Sequence, residues 1–188
     1  MARRQIRAFI GFKGAGKDYC CDKLVEEQGF LKLSFAKELR LATYDILGLP
    51  YKSDEDYNKT KDNLLFNNST LRDFIRRVAQ ACKKEDKDIW TKKLIKAVKS
   101  SVKNVCISDL RYAREYEYLE KYAADNNIDF KVYFTDYHSE RYTGDSTVLT
   151  EKLADYIKKA GYKDMQQVHG YDIVTYGKLV ESKAPDWE

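Results

Sequence analysis

The sequence contains a glycine-rich run, Gly11-Phe12-Lys13-Gly14-Ala15-Gly16-Lys17-Asp18, between two segments of different hydrophobic period. Before it, the apolar residues from Ile6 to Ile10 predict a short buried strand. After it, apolar residues recur at helical spacing until Gly29, which is a typical residue at a helix C-terminus. The sequence therefore predicts a strand, a glycine loop and a helix in succession.

This loop fits the pattern G-x-x-x-x-G-K, followed by Asp18 where Ser or Thr is usual. Glycines let backbone N–H groups turn toward phosphate oxygens, the following helix points its positive end at the same place, and Lys17 adds a full charge. Asp18 offers Mg²⁺ a hard oxygen ligand, directly or through a water. We predict phosphate binding. The alternative is a glycine turn without a ligand, and the absence of G-x-G-x-x-G argues against a dinucleotide-binding loop.

Strand-like and helix-like segments alternate along the rest of the chain. Further strands are expected at 31–35, 102–107, 129–134 and 171–175, and helices at 36–47, 71–82, 87–102, 112–126 and 150–159. The polar segment 52–68 is interpreted as a mobile loop with room for a short helix. Because strands joined through helices pair in parallel, we expect a single three-layer α/β domain with a mostly parallel five-stranded sheet.

The composition indicates a folded cytoplasmic protein of one domain. The chain has 188 residues, of which 43% are hydrophobic and 34% charged, and this balance argues against disorder. No apolar run approaches the roughly 18 residues of a membrane span, and the basic start lacks the apolar core of a secretory signal. Four cysteines without a CxxC pair, beside two histidines, predict neither a zinc site nor disulfides. The net charge of +4 suits phosphate ligands but is low for a nucleic-acid binder.

A second candidate site residue follows the strand predicted at 102–107. Asp109 would stand at the carboxyl edge of the sheet, where the phosphate loop also lies, and would hold Mg²⁺ or orient an acceptor. The alternative is that Asp109 caps the next helix. Arg111 would face the same cleft and stabilise phosphoryl charge.

The helix predicted at 71–82 has a basic flank. Arg76 and Gln80 are four residues apart and share a helical face, so a guanidinium and an amide lie side by side, which suits a nucleotide phosphate and a base edge. Ligand binding by Arg77 is weighed against solvation, and Arg72 is interpreted as solvated.

Several of these segments together resemble the deoxynucleoside monophosphate kinases of bacteriophages. The resemblance lies in Gly16-Lys17-Asp18, in Leu33-Ser34-Phe35-Ala36-Lys37, in Arg76 with Gln80, and in Asp109-Leu110-Arg111 with Glu115. His138-Ser139-Glu140 and the run from Tyr171 to Gly177 resemble later segments of that family. The similarity touches most of the chain in order, and the loop ending in Asp is its most specific part.

The resemblance implies a P-loop kinase fold that moves a phosphoryl group from ATP to a deoxynucleoside 5′-monophosphate with Mg²⁺. It implies a helical acceptor-binding region at about 35–100 and a lid at about 135–167. The implied catalytic residues are Lys17, Asp18, Asp109 and Arg111, with Asp18 and Asp109 near the metal. The implied ATP-binding residues are Gly11, Lys13, Gly14, Ala15, Gly16, Lys17, Asp18 and Arg141. The implied acceptor-binding residues are Ser34, Phe35, Lys37, Arg76, Gln80, Asp109 and Arg111.

The chain departs from the family pattern after the fourth predicted strand. The family has Arg-Pro-Gly there, whereas this chain has Thr135-Asp136-Tyr137, so we expect Arg141 to replace the missing arginine from the lid. The segment 143–167 resembles an insertion.

Two other functions stay open. A P-loop kinase of this type could instead phosphorylate a hydroxyl, on a 5-hydroxymethyl base in DNA or on a small metabolite, with Asp109 or Asp18 as base. DNA is a partner only under that alternative. A non-catalytic nucleotide-binding module is the second, although two acids beside one phosphate loop are costly unless a metal neutralises them. The expected partners are small nucleotides, with no membrane and with a homodimer left open; if the protein is phage-encoded, its location would be the host cytoplasm.

Overall fold

A computed structural model of the protein describes residues 3–11, 16–66, 68–136, 166–168 and 172–175. The chain divides into two compact units, the first made of Met1–Leu33 and Lys99–Glu188 and the second of Ser34–Val98. The second unit has nearly the bounds of the predicted acceptor-binding region, whose role, like the single-domain assignment, stays a prediction. The expected helix at 150–159 and most of the expected lid lie outside the described residues.

The helices and strands are, in chain order, β1 (Gln5–Gly11), α1 (Lys17–Gln28), β2 (Leu31–Leu33), α2 (Phe35–Ile46), α3 (Asp54–Thr60), β3 (Leu64–Phe66), β4 (Ser69–Thr70), α4 (Leu71–Glu85), α5 (Ile89–Lys99), β5 (Val105–Ile107), α6 (Ala113–Asp125), β6 (Asp129–Asp136), β7 (Gln166–Val168) and β8 (Asp172–Thr175). No helix in the described ranges is long and apolar enough to cross a membrane.

The first unit is built on a sheet with the strand order β2-β5-β1-β6-β8-β7. The first four of these strands are parallel, as predicted, whereas β8 runs antiparallel to β6 and β7 antiparallel to β8. The α/β fold with a mostly parallel sheet is confirmed. The described sheet has one strand more than the five expected: β7 was not predicted, and it runs antiparallel to β8 because only three residues separate them, a connection too short for a parallel crossover.

Helices cover both faces of this sheet. On one face, Phe9 of β1 and Cys106 of β5 pack with Cys21 and Leu24 of α1. Tyr116 of α6 lies 5.8 Å, between ring centroids, from Phe130, whose partner in the β1–β6 register is Ile6. Because side chains alternate along a strand, Ile6 and Phe9 point to opposite faces. The unit therefore has the three expected layers, with α1 on one side and α6 on the other.

The second unit contains four helices and a small hairpin. Tyr44, Leu71 and Ile75 form its buried core, and Tyr57 of α3 packs against them. The segment 52–68, expected to be a mobile loop, contains α3 and β3. The N-terminus of α3 is capped because Ser53 Oγ accepts a hydrogen bond from the Asp56 N–H at 3.0 Å. Three acidic residues occupy the first turn, which is the favourable end of the helix dipole for negative charge.

The strand predicted at 31–35 is shorter than expected. It ends at Leu33 because Ser34 is the N-cap of α2, where its Oγ accepts a hydrogen bond from the Lys37 N–H at 2.9 Å. Ser34 thus has a structural role in the local fold, whatever else it binds.

Candidate functional site

The glycine-rich run starts where β1 ends against β6. Gly11 has a φ of +154°, and a Cβ at this position would lie 2.0 Å from the Thr135 carbonyl oxygen, so the close approach of the two strands requires glycine. Gly16, also left-handed, precedes the first turn of α1. Residues 12–15 lie outside the described residues, so the predicted roles of Lys13, Gly14 and Ala15 stay predictions.

Lys17 returns from the start of α1 to the end of β1. Its ammonium donates a hydrogen bond to the Gly11 carbonyl oxygen at 2.8 Å. Burial, together with the positive charge of Arg111, lowers the pKa of Lys17 from 10.5 to about 8, although the charges of Asp18 and Asp109 oppose this shift. Because burial disfavours the charged form of Lys17, a ligand that brings negative charge next to the ammonium would stabilise it.

Asp18 follows Lys17 and has two further partners. Its Oδ1 lies 3.0 Å from the ammonium of Lys32, which comes from β2, and its carboxylate accepts a hydrogen bond from the buried Ser108 hydroxyl. The partial desolvation of Asp18 by its neighbours would by itself raise its pKa, but these hydrogen bonds and the charges of Lys32 and Lys17 together lower it. The carboxylate is therefore ionised at neutral pH.

Asp109 and Arg111 enter the site from the loop after β5. Since β5 is the parallel neighbour of β1, the carboxyl ends of both strands lie at one edge of the sheet. The connection from β1 leads to β2 and that from β5 to β6, on opposite sides of the β5–β1 pair, and such a switch point opens a ligand crevice.

The loop after β5 is held by Glu115. Its buried carboxylate accepts hydrogen bonds from the N–H groups of Arg111 at 3.1 Å and Tyr112 at 3.2 Å, and Tyr112 is the N-cap of α6. Glu115 therefore performs the capping that the sequence allowed for Asp109. The alternative explanation of Asp109 as a helix cap does not hold, and its carboxylate lies within the charge environment of Lys17.

The first unit thus brings together all four residues predicted to be catalytic, Lys17, Asp18, Asp109 and Arg111. Asp18 and Asp109 supply hard oxygen donors, which fit Mg²⁺, an ion that keeps several waters. Within the described ranges no cluster of three or more His, Cys, Asp and Glu exists that would hold a metal ion by itself. The donor set consequently suits a cation shared between protein, water and a phosphate.

The predicted acceptor residues of the second unit have different environments. Phe35 is buried and belongs to the packing of α2, whereas Arg76 and Gln80 are exposed on α4. Arg77 donates a hydrogen bond to Ser69 Oγ at 2.7 Å and lies over the Phe74 ring, which indicates a structural role. Acceptor binding by Ser34, Phe35, Lys37, Arg76 and Gln80 stays a prediction.

Two residues of the site were not predicted from the sequence, and one predicted residue lies outside the described residues. Ser108 precedes Asp109 at the strand end, a position that could have suggested it. Lys32 lies between two leucines of a short strand, and this alternation could have indicated that its side chain points to the opposite face of the sheet from theirs. Arg141 lies outside the described residues, so its replacement of the family arginine stays a prediction.

All four cysteines are free thiols, of which Cys20, Cys21 and Cys106 are buried. Burial raises the pKa of Cys20 to about 12, so this thiol next to the site is a poor nucleophile at neutral pH.

Comparisons with known proteins give matches among solved structures. No family model matches the chain, and no curated protein matches it. A putative kinase from Chloroflexus aurantiacus is 14% identical, with a TM-score of 0.44, over 85% of this chain and 70% of that one. An APS kinase from Mycobacterium tuberculosis is 16% identical, with a TM-score of 0.35, over 84% and 97%. A gluconokinase from Sinorhizobium meliloti is 14% identical, with a TM-score of 0.33, over 82% and 66%.

Proposed function

We propose that the protein transfers the γ-phosphoryl group of ATP to a deoxynucleoside 5′-monophosphate. The observation that carries the proposal is the partly buried ammonium of Lys17, the first residue of α1. It donates a hydrogen bond to the carbonyl oxygen of Gly11, at the end of β1, and the charges of Asp109 and Arg111 act on it. A carbonyl oxygen is a weak partner for a buried cation, whereas a polyphosphate offers full negative charge. The N-terminus of α1 favours an anion at the same place.

The four residues predicted to be catalytic each have a role in this reaction. Lys17 and the glycine-loop amides bind the phosphates of ATP, and Arg111 neutralises charge on the acceptor phosphate. Asp18 and Asp109 would hold Mg²⁺, which supplies further neutralisation of the phosphate charge when bound. Catalysis then depends mainly on position and electrostatics, because the transition state of phosphoryl transfer is loose.

The acceptor class rests on the resemblance described above. A monophosphate acceptor is already ionised, so the site needs no strong general base. Arg76 and Gln80 are exposed and one turn apart on α4, which supports their binding of a nucleotide phosphate and base.

A substrate panel tests the proposal. ADP release is measured with ATP, Mg²⁺ and each of the four deoxynucleoside monophosphates, then with DNA that carries 5-hydroxymethyl bases. We expect turnover with at least one monophosphate, and loss of that turnover in Lys17→Met. The matched control is Lys23→Met on the same helix, which removes an exposed lysine paired with Glu26 at 3.0 Å. Turnover with the modified DNA alone would support the hydroxyl-acceptor alternative, and ATP binding without any turnover would indicate a nucleotide-binding module.

A further inference from the structure

Lys32 is shared by two carboxylates of α1. Its ammonium lies 3.0 Å from Asp18 Oδ1 and 2.8 Å from Asp22 Oδ1. The two acids are four residues apart and so share one face of the helix. Lys32 is paired in the β2–β5 register with Cys106, whose side chain packs against α1, so both residues are on the side of the sheet that faces this helix. One of the two acids directly follows Lys17.

We propose that Lys32 is the cation that Mg²⁺ must displace from Asp18 when a nucleotide binds, and that Asp22 keeps Lys32 in place after the displacement. This inference rests on the proposed function, because it assumes that Asp18 faces the metal of a bound nucleotide. It assigns to Lys32 the role of a positioning residue that sets how strongly the site takes up Mg²⁺.

The geometry favours exchange of partners over loss of the lysine. An ammonium has three donors on a flexible stem, and Lys32 already contacts both acids. Leaving the Asp18 carboxylate therefore removes one contact, while those to Asp22 at 2.8 Å and to the Asp18 carbonyl oxygen at 3.4 Å can stay. The Asp18 side chain is 76% exposed and accessible to a hydrated cation. The buried Ser108 hydroxyl donates a hydrogen bond to the same carboxylate, so Asp18 retains a partner from the sheet when Lys32 leaves.

This arrangement predicts opposite effects for the two members of the pair. Without Lys32 no ammonium competes for Asp18, so Mg²⁺ is bound more tightly. Without the charge of Asp22, Lys32 loses its second carboxylate and remains on Asp18, so Mg²⁺ is bound more weakly. Exposed ion pairs change an equilibrium by a small factor, so we expect about two- to five-fold in each direction.

The test measures the dissociation constant of the fluorescent nucleotide mant-ATP, once in Mg²⁺ and once in EDTA, and takes the ratio of the two. We expect Lys32→Met to raise this magnesium enhancement and Asp22→Asn to lower it. Lys32→Arg, which keeps the charge, should remain near the wild-type ratio. In an Asp18→Asn background, Lys32→Met should change nothing, because the contested carboxylate is gone.

Control variants that change a charge elsewhere on α1 distinguish the displacement of Lys32 from a general effect of net charge on Mg²⁺ binding. Lys23→Met and Glu26→Gln alter an ion pair of α1 that excludes Asp18, and we expect both to leave the ratio unchanged. Equal shifts in these controls, or a lower ratio in Lys32→Met, would overturn the proposal. If Lys32→Met fails to fold, as seen by circular dichroism, Asp22→Asn and Glu26→Gln decide the question. Absence of mant-ATP binding by the wild type would overturn the proposed function as well, whereas binding with unmoved ratios would overturn this inference alone.

Discussion

Replacing Lys17 by Met should stabilise the protein while it removes nucleotide binding. The lysine is charged and partly buried, and its pKa falls from 10.5 to about 8, chiefly because burial disfavours the charged form. Such a lowering corresponds to about 3 kcal/mol of unfolding free energy that the folded state gives up near neutral pH. Met fills similar space without a charge and so avoids this cost.

Part of this gain is offset by the hydrogen bond that Met cannot make. The Gly11 carbonyl loses its donor at 2.8 Å, which costs about 1 kcal/mol. We therefore expect the free energy of unfolding of Lys17→Met to be about 2 kcal/mol higher than that of the wild type at about pH 7.

The pH dependence isolates the contribution of Lys17. Between the folded pKa of about 8 and the unfolded value of 10.5, the unfolded chain binds more protons, so wild-type stability rises with pH in this window. Below about 8 the whole cost is present, and by about pH 10 less than about 1 kcal/mol of it remains. The advantage of Lys17→Met should therefore shrink by about 2 kcal/mol between about pH 7 and pH 10.

Urea unfolding followed by circular dichroism at both pH values measures this difference, with Lys23→Met as the control for an exposed lysine on the same helix. A stability difference that stays constant from pH 7 to pH 10 would refute the reasoning, because a pH-independent effect cannot come from a buried charge. The same loss of the ammonium removes the contact for ATP phosphates, so binding and stability should move in opposite directions.

Two other substitutions test the frame of the site. Gly11→Ala should lower the free energy of unfolding by at least about 3 kcal/mol, because its Cβ would meet the Thr135 carbonyl at 2.0 Å. The control is Gly29→Ala, where the backbone is also left-handed but no atom lies within 4 Å of the new Cβ, and this change should cost only about 1 kcal/mol. Equal losses of stability in urea unfolding would contradict this explanation. Glu115→Gln should lower the free energy of unfolding by about 1 kcal/mol, because the amide oxygen accepts hydrogen bonds from the backbone N–H groups of Arg111 and Tyr112 more weakly than the carboxylate does. It should also raise the KM for the phosphoryl-acceptor substrate more than the KM for ATP. An unchanged KM for that substrate would show that Arg111 is positioned without this cap.

The parallel part of the fold was predictable because its signals are local. In α1 and in the strands β1, β5 and β6, hydrophobic period predicts the element, and the helices between the strands predict their parallel direction. The strand order, in which β5 lies between β1 and β2, was not predicted. The antiparallel end of the sheet was not predictable in this way, since strand direction at β8 depends on a short connection to β7, which the sequence pattern did not reveal as a strand.

Segment 52–68 was interpreted as a mobile loop with room for a short helix, and its elements were not located for another physical reason. α3 is polar all round, so hydrophobic periodicity gives no signal for it. It is stabilised by the Ser53 cap and by Arg40 of α2, which lies 2.6 Å from Asp54 and over the Tyr57 ring. The two contacts of Arg40 join residues 14 or more positions apart, and no local pattern reports them.

Strand register explains the remaining difference between the predicted and the observed site. Lys17 and Asp18 were predicted from the loop alone, because the pattern that selects them lies in neighbouring residues of the sequence. Lys32 contacts Asp18 only because β2 pairs in parallel with β5 under α1, and Gly11 is indispensable only because β1 pairs with β6 at Thr135. An acid at position 18, where a hydroxyl is usual, is thus tolerated because the sheet provides it with an ammonium and a hydroxyl. A chain with Asp after the loop lysine should therefore have a cation on the strand that follows the first helix, and that is a pattern to seek in other sequences with this loop.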